Sequence, residues 1–247
     1  MSATPPYPMR LWIGLDLGKI QDYTALAIVE ELPATVRIDE RAFRAIPAWS
    51  DDPHWHVRHL QRWELLTPYE TIAHDLDGLL LALLNGRPRP DLNVWVDATG
   101  VGVAVVERLR AQPILRSLGV NSCSITAGKG WSQAGPGEFH VAKSELVGVA
   151  QVAIQRGRIR VAKHLPDAAV LLGELRGFEA RISDSGNMQF SHREGEHDDL
   201  VLAVALACWG GAGRRAGEVV QTNYLGLGAE RDTPPYGPAA ARRRRAW

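Results

Sequence analysis

The chain has 247 residues, of which 45% are apolar and 23% charged, enough for one large domain with a proper core and ordinary for a globular protein. Its 28 basic and 28 acidic residues cancel, but from Ala212 onward seven Arg face three acids, so +4 in the tail leaves −4 on the rest. That body does not hold nucleic acid by charge alone. No apolar run reaches the roughly 20 residues of a membrane span, the N-terminus has no export pattern, and Cys123 and Cys208 lack CxxC spacing. The reading is a cytoplasmic protein with reduced thiols and no membrane segment.

Residues 1–9 are proline-rich and read as a disordered leader. Leu11 to Leu17 is a short apolar run closed by Gly18, a buried strand carrying Asp16 near its end. Ala25 to Glu31 reads as a second strand folding back on it, and Val36 to Phe43 as a third, so the domain opens with an antiparallel meander. The cluster His54, His56, His59 lacks the cysteine or acid that would complete a tetrahedral set, and a structural or exposed role is expected. Tyr69 to Asn85 has helical spacing, with Thr67-Pro68 as its start signal.

Leu92 to Val96 is continuously apolar, as parallel strands are, and Asp97 closes it; Thr99-Gly100-Val101-Gly102 then turns into a helix at 103–111. Such a turn cradles phosphate in some folds and serves only the chain reversal in others. Ile114 to Leu118 and Asn121 to Thr126 read as short strands, and 127–139, rich in glycine with Lys129 and Trp131, as a flexible loop. A helix spans Val141 to Gln155 with Lys143 in its first turn, where the macrodipole disfavours a cation, so a local anion is its expected partner. Ile159-Arg160-Val161 is a small strand, Pro166 to Gly177 a helix, and 178–191 a β-hairpin turning at Asp184-Ser185-Gly186-Asn187. From Asp198 to Trp209 the chain is apolar all round, a buried helix. After Gly210-Gly211 comes a Gly/Pro/Arg-rich tail, 213–247.

Asp16, Asp97 and the pair Asp198-Asp199 thus sit at the mouths of buried elements. A carboxylate there is costly unless a cation meets it, and several separated carboxylates are what a hard divalent cation takes as ligands.

The layout of strand with acid, meander, strand with acid and acid-tipped helix resembles the ribonuclease-H-like fold: an α/β protein with a mixed sheet, antiparallel meander plus parallel strands, flanked by helices. More specifically, Gly14-Leu15-Asp16-Leu17-Gly18-Lys19 with Asp22-Tyr23-Thr24-Ala25, Val96-Asp97-Ala98-Thr99-Gly100, Lys143-Ser144-Glu145-Leu146-Val147 and His197-Asp198-Asp199-Leu200-Val201 resemble the nuclease domain of phage terminase large subunits. The resemblance covers residues 10–212 and takes them as the nuclease domain. It implies an Mg²⁺- or Mn²⁺-dependent endonuclease, with two ions, that cuts double-stranded DNA during genome packaging. Asp16, Asp97, Asp198 and Asp199 become the metal ligands and Lys143 a group pairing with a phosphate or a ligand carboxylate. Adjacent helix residues point about 100° apart, which favours Asp198 as ligand and Asp199 as a second-metal or supporting group; Asp22 reads as a turn former.

Two departures stand out. Leu202 occupies a position where the family helix often has another acid, and the packaging ATPase of the family has no counterpart. Gly18-Lys19 is followed by Ile and Gly128-Lys129 by Gly, so neither is a P-loop. The resemblance therefore implies a separately encoded or excised nuclease module working beside a packaging ATPase and a portal or small terminase subunit. The competing readings are a Holliday-junction-resolvase-like nuclease, a non-cutting DNA-docking subunit on the same fold, and a phosphotransferase of the actin and sugar-kinase type.

Overall fold

The computed structural model describes residues 7–18, 21–39, 44–50, 52–86, 89–100, 103–127, 129–183 and 197–213, and its centre is strand β1 (Arg10–Asp16). Residues 11–16 are all buried, and their side chains divide with period two between two cores. Leu11, Ile13 and Leu15 enter one core, Trp12 the other. Such a strand must be covered on both faces, and it is.

Strand β2 (Ala25–Leu32) pairs antiparallel with β1. Strands β3 (Thr35–Asp39) and β4 (Arg44–Ala48) form a separate two-stranded sheet, and β5 (His54–Arg62) returns to pair antiparallel with β2. Helix α1 (Tyr69–Leu84) leads to β6 (Asp91–Asp97), which lies parallel to β1 on its other side. Helices α2 (Val103–Ala111) and α3 (Pro113–Leu118) precede β7 (Val120–Thr126), and the hairpin β8 (Trp131–Gly135) and β9 (Glu138–Ala142) follows. Then come α4 (Lys143–Gln155), β10 (Ile159–Val161), α5 (Ala168–Ser183) and α6 (Asp199–Gly213). The main sheet runs β10-β5-β2-β1-β6-β7-β9-β8, mixed parallel and antiparallel.

One core joins Ile72, Leu76 and Leu80 of α1, Leu109 of α2 and Leu115 of α3 to the sheet. The other joins Leu146 and Val147 of α4, Leu171 of α5 and the buried length of α6. Each fully buried Leu contributes about 1.5–3 kcal/mol. Helix α6 lies against β1 so closely that a Cβ at Gly14 would overlap the Ala203 carbonyl oxygen. Only glycine fits there, and that contact carries the N-terminus of α6 to the end of β1.

Several expectations are corrected. The third strand of the meander is β5, not Val36 to Phe43: Trp55, Val57 and Leu60 supply the apolar alternation, whereas Thr35 to Arg37 are exposed. Ile114 to Leu118 is helical, because Asp77 of α1 accepts the Ile114 and Leu115 amides at 2.8 and 2.9 Å and caps the turn behind Pro113. The glycine-rich stretch 127–139 holds the β8–β9 turn, closed by Gly137 at φ 70°, with Phe139 and Val141 buried. Phe178 to Ile182 continues α5 rather than starting a strand; five alternating residues do not separate the two periods. The turn and second arm of that hairpin, Val101-Gly102 of the β6–α2 turn, Lys19 of the β1–β2 connection, residues 1–6 and the Arg-rich tail from 214 lie outside the described residues.

Candidate metal centre

The parallel pairing of β1 with β6 puts Asp16 opposite Asp97 at the carboxyl ends of the two strands, the edge at which α/β sheets commonly bind ligands. Beyond Asp16 the chain turns at Gly18, whose amide donates to Thr24 Oγ1 at 3.1 Å and whose carbonyl accepts from Tyr69 Oη at 2.7 Å. A Cβ at Gly18 would collide with the backbone of Asp22 and Tyr23. Beyond Asp97 the Thr99 amide donates to Asp97 Oδ1 at 2.7 Å, and Thr99 Oγ1 in turn accepts from the Ile125 amide at 2.6 Å. The Asp97 carboxylate is thus fixed by its own turn, and the turn after Asp16 is fixed at Gly18.

The first turn of α6 brings the second pair. Asp199 is 4% exposed, against 7% for Asp16 and 8% for Asp97, and burial on this scale disfavours ionised carboxylates. Burial holds Asp16 well above the usual carboxylate range, and the negative charges of Asp97, Asp199 and Asp198 push the same way; Lys143 opposes them. Burial also raises Asp97, against hydrogen bonds from Thr99 and Asp16 and the charge of Lys143. Asp199 is pushed up to about 6 by burial, with His197 pulling down and Asp198 and Asp22 pushing up.

Lys143 Nζ, at the start of α4, lies 2.9 Å from Asp198 Oδ2. The anion expected beside this lysine is therefore a carboxylate of α6. The sequence-derived residues Asp16, Asp97, Lys143, Asp198 and Asp199 are all brought together. By contrast His54, His56 and His59 lie along β5 and join no metal-competent cluster among the described residues. A cavity of about 330 Å³ opens beside the Asp97 turn at Ala98 and Gly100, lined also by Arg110, Ser124, Glu138 and His140, but not by Asp16, Asp97, Asp198 or Asp199.

His197 and Glu174, which the sequence did not single out, join the site, as does Asp22, expected there only as a turn former. Asp22, His197 and Asp199 each offer a ligand atom within 4.8 Å of the others, with His197 Nδ1 at 3.8 Å from Asp199 Oδ2. His197 stands edge-on to Tyr23 at 5.2 Å, and the Arg62 guanidinium lies over the Tyr23 ring, 4.4 Å from its centroid. Glu174, on α5, is pushed up to about 7 by burial and by the charges of Asp199 and Asp198, against the Val201 amide and Arg62. A signal for it existed: Glu174 falls three residues after buried Leu171, on the inward face of its helix.

The donor set is almost entirely carboxylate oxygen, with one imidazole, which suits a hard divalent cation. Asp199 Oδ2 is buried without a hydrogen-bond partner among the described residues, a state that costs about 1–3 kcal/mol or more for a charged group and that a bound cation relieves. The residues present fit such an ion.

No known family model matches the chain. It is 27% identical over 196 residues to the terminase large subunits of Thermus phage G20c and Thermus virus P23-45, a match covering 79% of this chain and 30% of each relative. The chain thus spans about a third of the length of the curated relatives it matches. Its fold also matches the human cytomegalovirus terminase nuclease domain in a manganese-soaked, inhibitor-bound structure, with a TM-score of 0.52 at 15% identity over 84% of this chain and 85% of that one. The chain resembles terminase large subunits in sequence, and its mixed sheet is ribonuclease-H-like.

Proposed function

We propose that this chain is the nuclease module of a genome-packaging terminase, a metal-dependent endonuclease that hydrolyses double-stranded DNA. The observation that carries the reading is the convergence of Asp16, Asp97, Asp198 and Asp199 from β1, β6 and α6 on one corner of the sheet. Carboxylates gathered so that Asp97, Asp199 and Asp198 all push up the proton affinity of Asp16 are poor structural elements and good cation ligands. The sequence resemblance to terminase large subunits supports the same reading.

Asp16, Asp97 and Asp198 would hold one Mg²⁺ or Mn²⁺ ion, and Asp199 with Asp22 and His197 a second. Bound there, the two ions would acidify an attacking water and stabilise the leaving 3′ oxygen. The chain's own residues do the rest. Thr99 keeps Asp97 pointing out of the β6 turn, and Lys143 holds Asp198 toward the sheet end until a phosphate or an ion competes for either partner. Tyr23, in contact with both His197 and Arg62, orients the imidazole and keeps a cation at hand for a DNA phosphate. Nothing among the described residues resembles a base-reading helix, so slight sequence preference is expected. Residues 10–212 would form the nuclease module, acting with a packaging ATPase and a portal or small terminase subunit.

The test is cleavage of plasmid DNA with Mn²⁺, Mg²⁺, Ca²⁺ or EDTA. Cutting in Mn²⁺ and Mg²⁺ that EDTA abolishes is expected, with Ca²⁺ supporting binding better than turnover. Equal turnover in Ca²⁺, or none in any metal by folded protein, would sink the reading.

A further inference from the structure

Helix α6 raises a question its own sequence does not answer. It is apolar all round, so hydrophobic burial drives it into the core without choosing its rotation about its axis. Yet Asp198 and Asp199 leave adjacent positions, about 100° apart around a helix, so a modest rotation would exchange which carboxylate faces Asp16. Something must fix the first turn. At mid-helix the close approach of Ala203 to Gly14 does so, and near the far end Gly210 sits against the Trp95 ring.

At the N-terminus the fixing group comes from another helix. The first amides of a helix lack intrahelical partners, and the residue before the helix ordinarily caps the amide three positions on. Here that residue is Asp198, whose Oδ2 meets Lys143 at 2.9 Å, while its backbone carbonyl accepts the Leu202 amide at 2.9 Å. The Val201 amide donates to Glu174 Oε2 of α5, 3.1 Å away. The chain uses the same device elsewhere, where Asp77 of α1 caps α3. Glu174 differs in that its other oxygen, Oε1, is buried without a hydrogen-bond partner among the described residues, as Asp199 Oδ2 is.

We propose that Glu174 is a positioning residue of the metal centre: by capping Val201 from α5 it fixes the rotation of the first turn of α6 and so decides how Asp198 and Asp199 face Asp16. This rests on the metal-nuclease reading above. Glu174 acts through Asp198 and Asp199. Because the cap is supplied by tertiary contact, α5 and α6 must be packed together before the acids are in place.

The experiment measures Mn²⁺ binding to the full chain by calorimetry and by the electron-spin signal of the ion, alongside thermal unfolding, for wild type, Asp16→Asn, Glu174→Ala, Glu174→Asp and Glu174→Gln. Glu174→Ala and Glu174→Asp, which remove or retract the acceptor, are expected to weaken Mn²⁺ binding by about 10–100-fold, the usual cost of losing a group that orients ligands. Glu174→Gln keeps an oxygen for the Val201 amide and is expected to stay within about threefold of wild type. Should Glu174→Ala fail to fold, Glu174→Asp carries the comparison. Folded Ala or Asp variants that bind Mn²⁺ as wild type does, with only a lower melting temperature, would reduce Glu174 to a structural cap and overturn the proposal. A Gln variant as weak as Ala would overturn it too, since charge rather than capping would then matter. If wild type itself binds no Mn²⁺, or binds it regardless of Asp16→Asn, the metal reading fails and this proposal falls with it; that outcome is distinct from the other two.

Discussion

Asp16 and Asp97 are register partners on adjacent parallel strands, both buried at the carboxyl ends of β1 and β6. Burial and the neighbouring charge of Asp97 both disfavour the ionised form of Asp16. In the absence of a cation this corner of the molecule works against the fold.

Asp16→Asn and Asp97→Asn should therefore separate activity from stability. Metal-dependent cleavage is expected to fall by about 10²–10³-fold or more, while the metal-free protein melts higher than wild type, by roughly 2–4 °C for each kcal/mol of repulsion removed. Plasmid cleavage and thermal unfolding in EDTA check both halves. A mutant that keeps full activity, or one that melts well below wild type, contradicts the account.

The pH dependence follows from the same acids. Asp199 at about 6 and Glu174 at about 7 have native values raised above their ordinary ones, and Asp16 and Asp97 are raised as well. Between the ordinary carboxylate range and about pH 7 the folded state thus binds more protons than the unfolded one, so stability falls as pH rises. Metal-free protein should melt highest near pH 4–5 and lower at pH 8. Added Mn²⁺ should raise the melting temperature far more at pH 8 than at pH 5, because the ion competes with those protons. Melting curves that are flat across this range in EDTA would contradict the shifts.

Lys143 lowers the proton affinity of both Asp16 and Asp97 while pairing with Asp198. In Lys143→Met those acids hold their protons to higher pH. The acidic limb of the rate–pH profile should then move to higher pH, with activity partly recovered at pH 9. An unmoved limb with a uniformly lower rate would instead assign Lys143 to DNA contact alone.

Gly14→Ala tests the seating of α6. The added methyl meets the Ala203 carbonyl with no room to turn aside. Overpacking costs about 1–3 kcal/mol or more, and because α6 carries Asp198 and Asp199, Mn²⁺ affinity should fall with stability. Urea unfolding and Mn²⁺ titration measure the two; a fully stable variant would mean that α6 does not lie on β1 at Gly14.

Much of this protein was legible in the sequence because the signals are local. The buried strand ending in Asp16, the parallel strand ending in Asp97 and the all-apolar helix after Asp198 each declare themselves by period and composition within a dozen residues. A resemblance of four short motifs in order then gave the fold. What misled were segments whose fate rests on distant partners: Ile114 to Leu118 became a helix because Asp77 caps it, and 127–139 became a hairpin because β7 offered an edge for β9 to pair with.

The sequence by itself determined which acids exist and which elements carry them, since hydrophobic periodicity is written residue by residue. Only the tertiary structure decided which carboxylates face one another, that Lys143 meets Asp198, and that Asp22, His197 and Glu174 join them. The reason is physical: the register of β1 on β6 and the rotation of α6 are set by contacts between residues far apart in the chain, such as Gly14 with Ala203 and Glu174 with Val201. A helix apolar on every side carries no local mark of which way its first turn will point.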